Sequence, residues 1–160
     1  MWPFRKSLTR EQAQLLSEAA EALNGQRAEL EEALLSLRHG VEALYSDCVQ
    51  ATQMDTDVDV STERLEDARS ALTAYGTKLL DAQETLYRYA PSEWHPRHFR
   101  KSYYEWDDRL TIQIKFLLTA TDALEHPTLR NEPENRRPNM FASGLNMVAS
   151  ARDLPRFKEL

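Results

Sequence analysis

The chain has few of the residues on which several protein classes depend. Its 160 residues include only four glycines and one cysteine. So few glycines exclude a glycine-rich phosphate loop and are unusual for turn-rich all-β folds. A single cysteine excludes a disulfide framework and a cysteine-based zinc site. An unpaired thiol is typical of a reducing compartment, so we expect a cytoplasmic location.

Long apolar runs and a strong charge of one sign are also missing. No run approaches the roughly 20 apolar residues that span a bilayer, so we expect no transmembrane segment. The net charge of −6 gives no general attraction to nucleic acid, which is therefore not an expected partner. The 41% of apolar residues is enough for one folded domain with a core.

A seven-residue leucine repeat dominates the first third of the chain. The repeating leucines are Leu16, Leu23, Leu30, Leu37 and Leu44. With mostly small or branched residues four positions after each, this spacing is typical of a coiled coil. Thr9 and Gln12 form a capping box at its start. The pattern predicts one helix from about 9 to 53 that continues through Asn24-Gly25; two helices, 9–24 and 26–53, are the alternative.

Two further helices are predicted, from about 62 to 90 and from about 96 to 126. Ser61 or Thr62 can cap the first of these, and both keep a heptad pattern of apolar residues. Pro91 and Pro127 end them, because the residue before a proline disfavours helical geometry.

The last stretch changes character. Four of the seven prolines fall in 127–160, and a short helix is predicted from about 138 to 153. The chain therefore divides into an N-terminal arm (1–8), a helical bundle (9–126) and a proline-rich connection with a short helix (127–160). Because short connections make successive helices antiparallel, we predict an all-α fold. It is an antiparallel helical bundle of three long helices plus a short C-terminal helix.

The first helix is longer than its neighbours and overhangs them by about one third of its length. Its overhang carries an apolar stripe, which predicts an oligomer interface and a homodimer. The stripe consists of Ala13, Leu16, Ala20 and Leu23. In the alternative, the C-terminal helix folds back and covers it. Arg27 lies at a core position of the repeat, where it either sets the register or extends its charge to water.

Aromatic and basic residues are concentrated where the second helix gives way to the third. Residues 87–106 hold seven of the 14 aromatic residues, interleaved with arginine, lysine and histidine. Such a mixture can bind phosphates, stack on rings or hold an acidic segment of a partner. The candidate binding residues are Trp94, Arg97, Arg100, Lys101 and Tyr104. In the alternative, the aromatics plug the end of the bundle and leave the basic residues in water.

Catalytic and metal-binding patterns receive little support. The acidic residues of 55–66 resemble an EF-hand calcium loop in spacing, but Val60 stands where that loop needs glycine. An acidic connection that caps a helix is the preferred interpretation. His95 and His98 are not part of a Glu-x-x-His motif, which di-iron bundles require. Cys48 is expected to be buried, where its thiol is inert. We predict no catalytic residue, no metal site and no cofactor.

These patterns favour a non-enzymatic interaction or adaptor subunit. It would bind a protein partner and self-associate through its heptad surfaces. The alternative is a bundle that binds a small anionic ligand or nucleotide at 94–104.

Overall fold

The computed structural model describes residues 7–125, 129–133 and 135–159, apart from the side chain of residue 135. Three long helices pack antiparallel and a short fourth helix lies against them, so the predicted all-α bundle is confirmed. Residues 1–6 of the predicted arm, and the predicted end of the third helix at residue 126, lie outside the described residues. None of the described helices is long and apolar enough to cross a membrane.

Helix α1 spans Arg10–Met54, 45 residues without interruption. The predicted capping box starts it: the Thr9 hydroxyl accepts from the Gln12 N–H at 3.1 Å, and the Gln12 side chain accepts from the Thr9 N–H at 3.0 Å. The helix passes through Asn24-Gly25, so the alternative of two helices is wrong. The unbroken leucine phase explains this, because a turn would have shifted the apolar face.

Helix α2 spans Thr62–Arg88 and helix α3 spans Arg97–Ala123. The Ser61 hydroxyl accepts from the Arg64 N–H and caps α2, as its sequence predicts. Strands β1 (Asn131–Glu132) and β2 (Asn135–Arg136) form a two-residue antiparallel ribbon before helix α4 (Arg137–Ser150). Helix α2 packs against both α1 and α3. Helix α4 also packs against α3 and α1.

Glycines allow the helices to approach closely. A Cβ atom at Gly40 of α1 would lie 2.6 Å from the Cβ of Ala71 in α2. A Cβ at Gly144 of α4 would lie 2.8 Å from the carbonyl oxygen of Phe116 in α3. Neither position can hold a side chain without moving a helix. The α1–α2 and α3–α4 pairs therefore touch nearly backbone to backbone.

The apolar overhang of α1 is not exposed. Leu16, Ala20 and Leu23 are buried within the single chain, and Ala13 is half-buried. The premise that this stripe lacks an intramolecular partner, from which the oligomer interface was predicted, is therefore wrong. A charged side chain at Leu23 would disrupt the core rather than separate two subunits.

An extended segment, residues 151–159, covers α1 near this stripe. The predicted C-terminal helix ends at Ser150 instead of 153. The segment then runs along α1, where the Asn24 side chain bonds both the N–H and the carbonyl of Phe157 at 2.9 Å. The Arg27 Nε donates to the carbonyl of Leu154 at 2.8 Å. Neither sequence interpretation of Arg27 anticipated this partner.

Candidate functional site

The connection between α2 and α3 is organised around His95. The Ser92 N–H donates to His95 Nδ1 at 2.7 Å, and the His95 N–H donates to the Ser92 carbonyl at 3.1 Å. The imidazole stacks between Trp94, at 3.8 Å between ring centroids, and Phe99, at 4.9 Å. Burial lowers the pKa of His95, and the nearby charge of Arg100 lowers it further. His95 is thus held as a neutral acceptor that shapes the turn into α3.

The aromatic residues of α3 point mainly into the bundle. Phe99, Tyr103 and Trp106 are buried, and the Phe157 ring lies 5.2 Å from that of Phe99 and 5.4 Å from that of Trp106. Trp94 is half-buried. This part of the cluster closes the end of the bundle, as the alternative interpretation predicted for the aromatics.

The basic residues lie on the opposite side, in water. Arg97, Arg100, Lys101 and Tyr104 are all exposed, and their spacing of three, four and seven residues places them along one side of α3. We call these four residues the basic stripe. The Tyr104 ring packs edge-on against the ring of the buried Tyr103, with their centroids 5.4 Å apart. The stripe therefore contacts the core at this residue.

No cation of the basic stripe forms an ion pair with the part of the chain that the structure describes. Two carboxylates that follow the stripe on α3 are engaged elsewhere. Glu105 pairs with Arg109 at 3.5 Å, and Asp107 accepts from the Tyr87 hydroxyl at 2.9 Å. The positive charge of the stripe is therefore not neutralised by these neighbours.

The start of α3 adds to this positive potential. Its N-cap, Pro96, provides no side-chain hydrogen bond, and the first helical turn contains no acidic residue. The positive end of the helix dipole, next to these cations, is therefore not offset by an acidic side chain of the first turn. This arrangement is suited to an anion such as a carboxylate or a phosphate.

The basic residues of the extended segment were not among the predicted binding residues. Arg156 and Lys158 are exposed on either side of the buried Phe157, at the same end of the bundle as Phe99. The alternation of polar and apolar residues over 156–158 is too short to predict extended chain from the sequence. Glu159, the acidic residue that follows, is 3.5 Å from the side-chain nitrogen of Asn24.

The acidic connection between α1 and α2 has a structural use. The Asp55 carboxylate accepts from the side-chain amide of Asn131 at 3.0 Å, and the Asp57 carboxylate accepts from its backbone N–H at 3.1 Å. The Val58 N–H donates to the carbonyl of Leu129 at 2.9 Å. These bonds fasten the connection to the chain between α3 and α4. The described residues contain no cluster of three or more histidine, cysteine or carboxylate side chains that could share a metal ion.

Cys48 lies in the core, and burial raises the pKa of its thiol to about 12, with the charge of Asp47 contributing. The protonated thiol is a poor nucleophile.

Of the five predicted binding residues, the structure aligns Arg97, Arg100, Lys101 and Tyr104 and leaves Trp94 half-buried beside His95. The site therefore combines an exposed cationic surface with a rigid aromatic base. Comparisons of the chain with protein-family models, curated proteins and solved structures found no match.

Proposed function

We propose that the protein is a non-enzymatic helical interaction subunit that binds an acidic segment of a partner protein at the basic stripe. The observation that carries this proposal is the alignment of three exposed cations, Arg97, Arg100 and Lys101, at the uncapped start of α3. Positive charges at the start of a helix add to the positive end of its dipole. The binding of a negatively charged partner offsets this unfavourable concentration of positive charge.

The shape of the site favours a chain segment over a small molecule. Small-molecule sites are concave, whereas the stripe follows the outward side of a helix. Cavities of about 400 and 330 Å³ lie instead along α1, where they are lined by residues such as Leu34, Leu35 and Arg38. From Arg97 to Tyr104 the stripe is about 10 Å long, which three or four residues of extended chain span.

The proposal is tested with a fluorescein-labelled peptide of alternating aspartate and serine, measured by anisotropy at low salt. Changing Arg97, Arg100 and Lys101 together to serine should weaken binding roughly 3- to 150-fold, because each exposed ion pair contributes about 0.2–1 kcal/mol. The melting temperature should hardly change, since these side chains form no ion pairs in the described chain. The loss should shrink as salt is raised.

A matched control separates the stripe from net charge. Changing Arg38, Lys115 and Arg136 to serine removes the same charge away from the start of α3, at three exposed cations that form no ion pair with the described chain. This control should bind the peptide nearly as well as the wild type. Equal weakening in both triple variants would contradict a local site. Displacement of the peptide by micromolar ATP would favour the alternative, a small anionic ligand.

A further inference from the structure

A cavity of about 400 Å³ lies between α1 and α4, and all of its lining residues belong to these two helices. The Tyr45 hydroxyl of α1 donates to the side-chain oxygen of Asn146 in α4 at 2.9 Å, and both residues line the cavity. This bond and the direct packing of α4 on α1 hold the two walls together. The cavity is therefore preformed, and its volume is within the roughly 300–1,000 Å³ of small-molecule sites.

The cavity has an apolar floor that the chain leaves partly uncovered. Leu34 and Leu145 line it, and with 7% and 8% exposure they are the most accessible of the buried leucines in the described chain. Leu37 and Val41 complete the floor, and Leu35, which is 61% exposed, lies at its edge. An aliphatic group that covered these side chains would remove apolar surface from water, which is favourable.

Two opposite charges line the same cavity. Arg38 and Glu42 are exposed residues of α1, and neither forms an ion pair with the residues that the structure describes. They are four positions apart, a spacing at which helical side chains are neighbours, with Cβ atoms about 5–6 Å apart. The lining also contains His39, which is exposed. A ligand that carries an anion and a cation side by side can contact both Arg38 and Glu42.

A second cavity, of about 330 Å³, continues along α1 and shares Arg38 with the first. Its Glu31 already pairs with Arg27 at 3.2 Å. Its Arg152 already pairs with Asp153 at 3.7 Å. The charges of this second cavity are thus engaged within the chain, whereas the two opposite charges of the first are not.

We infer that the cavity between α1 and α4 binds a free amino acid with an aliphatic side chain, such as leucine. The carboxylate of the ligand binds Arg38, and its ammonium group binds Glu42. Its side chain covers Leu34 and Leu145. A carboxylate without an ammonium group would bring a like charge to Glu42, and an amine without a carboxylate would bring one to Arg38, which is unfavourable in both cases. This site is separate from the basic stripe and does not depend on it.

NMR titration of the full chain with L-leucine tests this site, with the side-chain amide of Asn146 as the reporter. The dissociation constant should be about 1 mM, the order expected for so small a ligand. Leucine should bind roughly 1.5- to 5-fold more tightly than isocaproate, which lacks the ammonium group, because an exposed ion pair contributes about that factor. Isoamylamine, which lacks the carboxylate, should bind more weakly than leucine by a similar factor of roughly 1.5 to 5.

Single substitutions assign each part of the ligand to a residue. Arg38→Gln and Glu42→Gln should each weaken leucine binding by the same factor, and Glu42→Gln should also abolish the preference for leucine over isocaproate. The matched controls are Lys115→Gln and Glu21→Gln, which change exposed charges outside the cavity and should bind leucine like the wild type. Ala149→Leu adds apolar volume from the α4 wall and should weaken leucine binding at least about tenfold, because the ligand then clashes with it.

Three results would overturn this assignment. One is the lack of any shift of the Asn146 amide at 10 mM leucine, about ten times the expected dissociation constant. Another is isocaproate that binds the wild type as tightly as leucine. The third is unchanged leucine binding in Ala149→Leu that circular dichroism shows to be folded. Because Arg38 and Glu42 are exposed, their glutamine variants should keep the wild-type melting temperature. They therefore test the site even if Ala149→Leu unfolds.

Discussion

Replacing Gly40 with alanine should destabilise the bundle, whereas the same replacement at Gly25 of the same helix should stabilise it. A Cβ at Gly40 would lie 2.6 Å from the Cβ of Ala71, against about 3.5–4.0 Å for an ordinary carbon contact. Neither carbon can rotate away, so α1 and α2 must separate by about 1 Å. At Gly25 no atom outside the local helix lies within 4 Å of the added carbon.

The two replacements share their backbone effect and differ only in packing. Alanine in place of glycine inside a helix gains about 1 kcal/mol, so Gly25→Ala should be more stable than wild type by roughly 0.4–1 kcal/mol. Overpacking a close contact costs about 1–3 kcal/mol. Gly40→Ala should therefore lie between nearly neutral and about 2 kcal/mol less stable than wild type. The difference between the two variants, about 1–3 kcal/mol, isolates the packing cost.

Equilibrium urea unfolding followed by far-UV circular dichroism measures both variants, with the m-value as a check on two-state behaviour. A change of about 1 kcal/mol also moves the melting temperature by roughly 2–4 °C in a chain of this size. Adding Ala71→Gly to Gly40→Ala restores the space and should recover part of the loss, measured as a coupling free energy. Equal stabilisation by both alanine variants, or no coupling to Ala71, would refute the close approach of α1 and α2.

The remaining predictions concern two buried titratable side chains. The pKa of His95 is lowered from 6.5 in the folded chain. The neutral imidazole therefore stabilises the folded chain fully above about pH 6.5, and this stabilisation decreases as the pH falls from 6.5 through the lowered pKa. The free energy of unfolding should depend less on pH between about 5 and 7 in His95→Gln than in wild type; an unchanged profile would contradict the assignment. The Cys48 thiol, with its pKa raised to about 12 by burial, should react with Ellman's reagent at neutral pH only as fast as the chain opens. Urea below the unfolding transition should accelerate that reaction, and labelling at the rate of a free thiol would show that the site is open.

Local patterns determined the helices. The leucine repeat predicted α1 as one element because its phase runs unchanged through Asn24-Gly25, and the structure has a helix from Arg10 to Met54. The Thr9 capping box and the Ser61 cap marked the starts of α1 and α2, since both depend on residues only three positions away. The spacing of Arg97, Arg100 and Lys101 likewise placed them on one side of α3, because helical geometry alone decides which residues share a side.

Exposure and long-range partners were decided only by the tertiary structure. Asn24 looked like part of a turn, and its role appeared only when Phe157, 133 positions away, was placed against it. Arg27 looked like a polar core residue, yet it bonds Leu154, 127 positions away. The stripe of Leu16, Ala20 and Leu23 looked exposed because helix lengths alone do not show which parts of the chain pack against it. A local pattern indicates which side of a helix is apolar. Which part of the chain covers that side depends on how the other elements pack.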